Sequence, residues 1–148
     1  FNSSSASHLI NSNWERNDTH FAQIGTGMTE SSGVFTFPST GIYRVDCRWS
    51  VFATNSSNRY VSIRTELSTD GGSSYNQIAV AFTNIPNLGE TLDHATSDFV
   101  VDVTNASNFK IRTVASSSQA FTFAGNQWAG VAQNVQINSM TFMKLGET

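Results

Sequence analysis

Apolar and polar residues alternate along most of this chain. The alternation is clearest from Ile42 to Val51, where Tyr43, Val45, Cys47, Trp49 and Val51 share one face and Arg44, Asp46, Arg48 and Ser50 the other. Successive side chains of a β-strand point to opposite faces, so a period of two predicts a strand with one face in a core and one in water. The Cys47 thiol falls on the core face, where a cysteine packs as a small apolar group. The same logic predicts a strand with Val61, Ile63 and Leu67 inward and Ser62, Arg64 and Glu66 outward. It predicts another in which Ile78, Val80 and Phe82 alternate with Gln77, Ala79 and Ala81. Between them, Ser68 to Ser74 contains Asp70-Gly71-Gly72, a turn signal that joins the two as a hairpin.

Further strands are predicted over Phe99–Val103, Phe109–Val114, Phe121–Phe123 and Val135–Leu145, and no window carries a helical period over ten residues. Short strands separated by Gly, Asn, Asp and Ser clusters predict an all-β, antiparallel two-sheet sandwich of the jelly-roll type. A parallel α/β sheet would need intervening helices. No internal repeat is visible. Residues 1–12, rich in Ser and Asn, read as a linker or N-terminal extension, and 13–148 as a single domain. The chain opens on Phe1 without an initiator Met, as expected of a processed chain or a fragment of a longer one.

The last strand is apolar on both faces: Val135, Ile137, Met143 and Leu145 share one, while Met140 and Phe142 take the other. Two readings account for this. A β-bulge near Ser139 would shift the phase and return Met140 and Phe142 to the core face. Alternatively, one face packs inside the sandwich and the other against a neighbouring subunit.

Composition narrows the partners. Ser and Thr make up 37 of the 148 residues, Asn adds 14, and Lys occurs only at Lys110 and Lys144. Such a surface is solvated by hydroxyls and amides. With a formal net charge of −3 and scattered basic residues, the chain is not expected to bind nucleic acid, which requires clustered Lys and Arg. No run approaches the eighteen or so apolar residues of a membrane span, so no membrane insertion is expected. The single cysteine, Cys47, excludes an internal disulfide.

From Gly33 to Tyr43 the chain resembles the complement C1q and tumour necrosis factor-like superfamily. A Phe, five residues, then Gly-x-Tyr, here Phe35, Gly41 and Tyr43, is the centre of the C1q signature. The positions after the Tyr that are usually aromatic are Val45 and Cys47 here. The resemblance in organisation covers roughly Trp14 to Gly146. It implies a jelly roll of about ten strands and a homotrimer with strands near both ends of the domain gathered at the threefold axis. Phe21 and Ile24 from the first strand, and Met140 and Phe142 or the opposite pair Met143 and Leu145, then become the candidate trimer interface. The segments Ser68-Thr69-Asp70-Gly71-Gly72, Val103 to Phe109 and Phe142 to Gly146 are also similar in style to jelly-roll domains of marine bacteriophage structural proteins.

Catalytic chemistry finds little support. His8, His20 and His94 are far apart, and the chain has no Gly-x-Ser-x-Gly elbow, His-Glu-x-x-His or phosphate loop. No catalytic residue, cofactor or metal site is expected. Asp70, Asp93 and Asp98 sit in or beside loops suited to Ca²⁺ ligands, but Asp70-Gly71-Gly72 lacks the alternating acids of an EF-hand loop and reads as a turn. Trp and Tyr stack on sugar rings. Trp49 belongs to a core face, and Trp14 and Trp128 are expected to cover an open end of the sandwich or a subunit seam. Of the two, Trp128, between glycines, is the better candidate for a glycan contact.

These readings converge on a non-enzymatic trimeric structural or attachment domain of a virion fibre, decoration or tail protein, at the virion surface or outside the cell. Its expected partners are itself, other virion proteins and host surface polysaccharide. The alternatives are a secreted C1q-like recognition or ligand domain of a cellular organism, and a monomeric carbohydrate-binding module.

Overall fold

The computed structural model describes the chain except residues 1, 4–6, 17, 19–21, 55–57, 87–89 and 124–136. Among the described residues there are eleven strands: β1 (Asn2–Ser3), β2 (His8–Leu9), β3 (Thr29–Ser31), β4 (Val34–Thr36), β5 (Gly41–Thr54), β6 (Asn58–Ser68), β7 (Asn76–Ile85), β8 (Glu90–Val103), β9 (Lys110–Ser117), β10 (Phe121–Phe123) and β11 (Ser139–Gly146). All pairings are antiparallel.

Two sheets form the sandwich. The first is centred on β5, which pairs along its whole length with β8 on one edge and with β10 and β11 on the other; β1 extends it beyond β10. The second runs β3-β4-β9-β6-β7, with β2 beside β9. The core between them is built from the faces that the alternation predicts: Tyr43, Val45, Cys47, Trp49 and Val51 of β5 meet Val61 and Ile63 of β6 and Ile111 of β9. Strands β7 and β8 are the edges of their sheets on one side of the sandwich. There the Thr83 hydroxyl donates to the Asp93 carboxylate and ties the sheets together.

Four expectations change. The segment taken as linker enters the domain before residue 13, because β2 pairs with β9, Ile10 is buried, and the Ile10 amide donates to the Thr113 carbonyl at 3.0 Å. Residues 22–28 form no strand, so Ile24 is not part of a first strand; Gly25, at φ +71, breaks the extended run. In β7 the faces are reversed. Ala81 lies opposite Ile63 and Ala79 opposite Thr65, so the small residues point inward and Phe82, 67% exposed, points out. Finally, the last strand starts later than expected, at Ser139: Ile137 and Asn138 are bends, Val135 lies outside the described residues, and the pairing with β5 runs in register from Ser139 to Lys144 with a shift between Lys144 and Gly146. Met140 and Phe142 face the core.

Candidate functional site

The Phe35, Gly41, Tyr43 pattern builds the corner where β4 leads into β5. Gly41 has φ +141, and a Cβ there would stand 2.6 Å from the Gly146 carbonyl oxygen and collide with the Lys144 side chain. Only glycine lets β11 lie this close while keeping that backbone angle. Two residues on, the Tyr43 ring packs edge-on against Phe37 at 4.9 Å, and its hydroxyl donates to the Ser39 carbonyl at 3.1 Å. The corner therefore fixes where β5 begins and where the end of β11 lies against it.

That placement decides what the outward face of the β8-β5-β11 sheet presents. Residues paired across an antiparallel ladder share a face. Val100, Arg44 and Met143 form one row, and Asp98, Asp46 and Thr141 the next. Arg44 Nε donates to Asp46 Oδ1 at 2.9 Å, and its Nη2 is 3.7 Å from Asp98 Oδ2. Around this cluster Val100, Met143 and Leu145 are 61%, 51% and 55% exposed. At the other end of the face, Leu92 is exposed opposite Phe52. A half-apolar sheet face with a compact ion-pair cluster is suited to packing against another protein surface.

Of the residues expected at an interface, Met140 and Phe142 point into the chain's own sandwich, Ile24 is 97% exposed in a loop, and Phe21 lies outside the described residues. The outward members of the last strand are Met143 and Leu145.

The outward face of the other sheet is different in character. In the row Gln77, Glu66, Arg112 and Val34, Arg112 Nε donates to Glu66 Oε2 at 2.7 Å, and the guanidinium lies 3.8 Å from the Tyr75 ring centroid. Arg64 is 4.0 Å from the other Glu66 oxygen and donates to Ser7 Oγ at 3.0 Å. Next to Phe82, the Ser62 and Ser116 hydroxyls are hydrogen bonded at 2.8 Å.

The candidate chemical groups are tied up locally. Cys47 is buried 3.8 Å from Thr65 Oγ1, and burial pushes its thiol up to about 11. Asp70 accepts from the Ser74 hydroxyl at 2.5 Å, the Ser74 amide at 3.0 Å and the Ser68 hydroxyl at 2.7 Å, which together hold its carboxyl well below the usual carboxylate range. Gly71 and Gly72, at φ +77 and +99, supply the turn that the sequence predicts. Asp93 accepts from Thr83, and Asp98 faces Arg44; among the described residues, no three His, Cys, Asp or Glu side chains converge as metal ligands. Trp14 covers the core, edge-on to Phe35 and Trp49, with Nε1 donating to the Ile10 carbonyl at 2.9 Å. Trp128 and His20 lie outside the described residues. The two outward faces could not be found from sequence, because charge sorting between them depends on which strands share a sheet.

Similarity to known proteins supports the fold. Three crystal structures of murine APRIL resemble the chain. At pH 8.5 the match has a TM-score of 0.64 at 12% identity, covering 98% of this chain and 92% of that one. At pH 5.0 the values are 0.57 and 12% over 82% and 80%, and at pH 8.0 they are 0.54 and 13% over 98% and 100%. At this level of identity the likeness is one of architecture: the chain has a tumour necrosis factor-like jelly-roll fold. No family model matches the sequence, and no curated protein matches it. Among the described residues no helix is long and apolar enough to cross a membrane.

Proposed function

We propose that this chain is a non-enzymatic display and attachment domain that works as a homotrimer, packed through the outward face of β8-β5-β11. The observation that carries this reading is the exposure of Val100, Met143 and Leu145 around the Arg44, Asp46 and Asp98 cluster. Burying apolar area of this kind stabilises an assembly by roughly 25 cal/mol per Å², and the ion-pair cluster fixes orientation more than it adds affinity. Met143 and Leu145 replace Met140 and Phe142 in the proposed contact, since the latter pair serves the chain's own core. The similarity of three segments to bacteriophage structural proteins supports a fibre, decoration or tail protein, on a virion surface where the domain meets host polysaccharide.

The fold likeness to murine APRIL favours a second reading, a secreted recognition or ligand domain of a cellular organism. Both readings require the trimer. They part at the parent gene, where capsid and tail genes nearby support the first and a collagen-like stalk or secretion signal the second. The assembly itself is tested by sedimentation of Val100→Asp beside the unaltered chain. A trimer that falls to single chains while the far-ultraviolet spectrum is unchanged supports the interface, and an unaltered trimer places the contact elsewhere.

A further inference from the structure

We propose that the outward face of β9, β6 and β7 is a docking surface for an acidic polysaccharide, bound through carboxylates by Arg112 and Lys110 and through sugar rings by Phe82. The proposal rests on reading the chain as an attachment module, and it names both the surface and the chemical class of the ligand.

Charge is sorted between the two outer faces. Inward residues of β9 are Ile111, Thr113 and Ala115, so Lys110 and Arg112 point outward, as do Arg64 and Glu66 beside them on β6. Among described side chains, three cations stand against one carboxylate on this face. On the opposite outer face, Arg44 and Arg48 stand against Asp46, Asp98 and Asp102. A chain of net charge −3 thus carries a locally cationic face on one side only. Glu66 is shared by Arg64 and Arg112 and neutralises one of them. Asp70, just past the end of β6, has its carboxylate turned into its own turn by Ser68 and Ser74. The excess positive charge is therefore available to a ligand.

The cations also sit beside aromatic side chains. Tyr75 lies under the Arg112 guanidinium, and an added Cβ at Gly72 would be 3.2 Å from the Tyr75 hydroxyl and 3.7 Å from Lys110 Nζ, which puts these groups in one cluster. Along β7, Phe82 is 67% exposed; the Ser62 hydroxyl beneath it is buried and bonded to Ser116. An exposed ring suits the apolar face of a pyranose. A guanidinium held in place by Glu66 and Tyr75 has its orientation set before a ligand carboxylate arrives. Charge complementarity selects an acidic chain over a neutral one, and the attachment reading selects a sugar chain over a polypeptide.

The test is binding of the full chain to immobilised polygalacturonate, with dextran as the neutral polymer and poly-glutamate as the polyanion without sugar rings. Polygalacturonate is expected to bind, weakening steeply with salt. Lys110→Gln with Arg112→Gln should lower affinity about tenfold or more, and Phe82→Ala about threefold, as expected for lost charge-assisted bonds and ring contact. Lys144→Gln, which removes the same charge elsewhere, should leave binding unchanged. If Arg112→Gln does not fold, Lys110→Gln and Phe82→Ala carry the test, since both residues lie at the surface. Equal binding of dextran overturns the proposal, as does insensitivity to Lys110→Gln and Phe82→Ala. Tight binding of poly-glutamate that ignores Phe82→Ala overturns it in favour of an acidic protein partner. Light scattering on the same samples separates the two readings: a single chain that binds keeps the docking surface and removes the trimer, and a trimer that does not bind does the reverse.

Discussion

Phe142 in the last strand packs against Phe35 from the opposite sheet, with ring centroids 5.6 Å apart and planes inclined at 37°. A second contact, edge-on to Phe37 at 6.1 Å, also holds the ring. This pair commits one face of β11 to the interior and leaves Met143 facing out. Phe142→Ala should therefore destabilise folding by about 2–3 kcal/mol, somewhat below a fully buried Phe because the ring is half-buried. Met143→Ala should change the stability of the single chain by less than about 0.5 kcal/mol. Urea unfolding curves of the two variants check the contrast.

Gly41 is the second position where one substitution should have a large effect. With φ +141 and the Gly146 carbonyl 2.6 Å from an added Cβ, Gly41→Ala forces either the backbone angle or the β5–β11 ladder to move. The backbone atom cannot rotate away as a side-chain tip could. A loss of about 2–3 kcal/mol is expected, with faster hydrogen exchange at the β11 amides than at those of β8.

The sequence shows most of this fold and little of its surface logic. Strand β5 was legible because its two faces differ sharply, Val45 and Trp49 against Arg44 and Arg48. The N-terminal half of β8 was not, because its inward residues are the small Ala95 and Ser97, so apolar alternation is weak there. In β7 the larger apolar residues face out, and only the pairing of Ala81 with Ile63 reveals it. The doubly apolar β11 could not be assigned until Phe142 met Phe35. That Arg64 and Arg112 share Glu66, and that Arg112 covers Tyr75, are tertiary facts that alternation along single strands does not show.

Cys47 should give stability a pH dependence on the alkaline side. Its folded value, pushed up to about 11 by burial, lies above the ordinary thiol value near 8.5. The unfolded chain ionises first. The contribution is thus fully present below about pH 8.5 and is lost as pH rises toward about 11, on the order of 3 kcal/mol in all. Cys47→Ala should flatten this window in melts taken between pH 8 and 11. At pH 8 the native thiol should resist alkylation until the chain is unfolded.

Asp70 acts on the acid side. Its carboxyl is held low by Ser74 and Ser68, so it stabilises the hairpin above the ordinary Asp value near 3.9 and ceases to as pH falls through its lower folded value. Asp70→Asn should make the chain less stable at neutral pH and reduce the steepness of its acid unfolding below about pH 4. Thermal melts from pH 2 to 7 measure both.

The outward face of β8-β5-β11 supplies the central claim, and solution mass tests it most directly. Light scattering of the unaltered chain across a hundredfold dilution should give three times the 16.1 kDa of one chain at every concentration above the dissociation constant. Met143→Glu should shift that mass toward a single chain. A mass of one chain for the unaltered protein throughout the range would contradict the account.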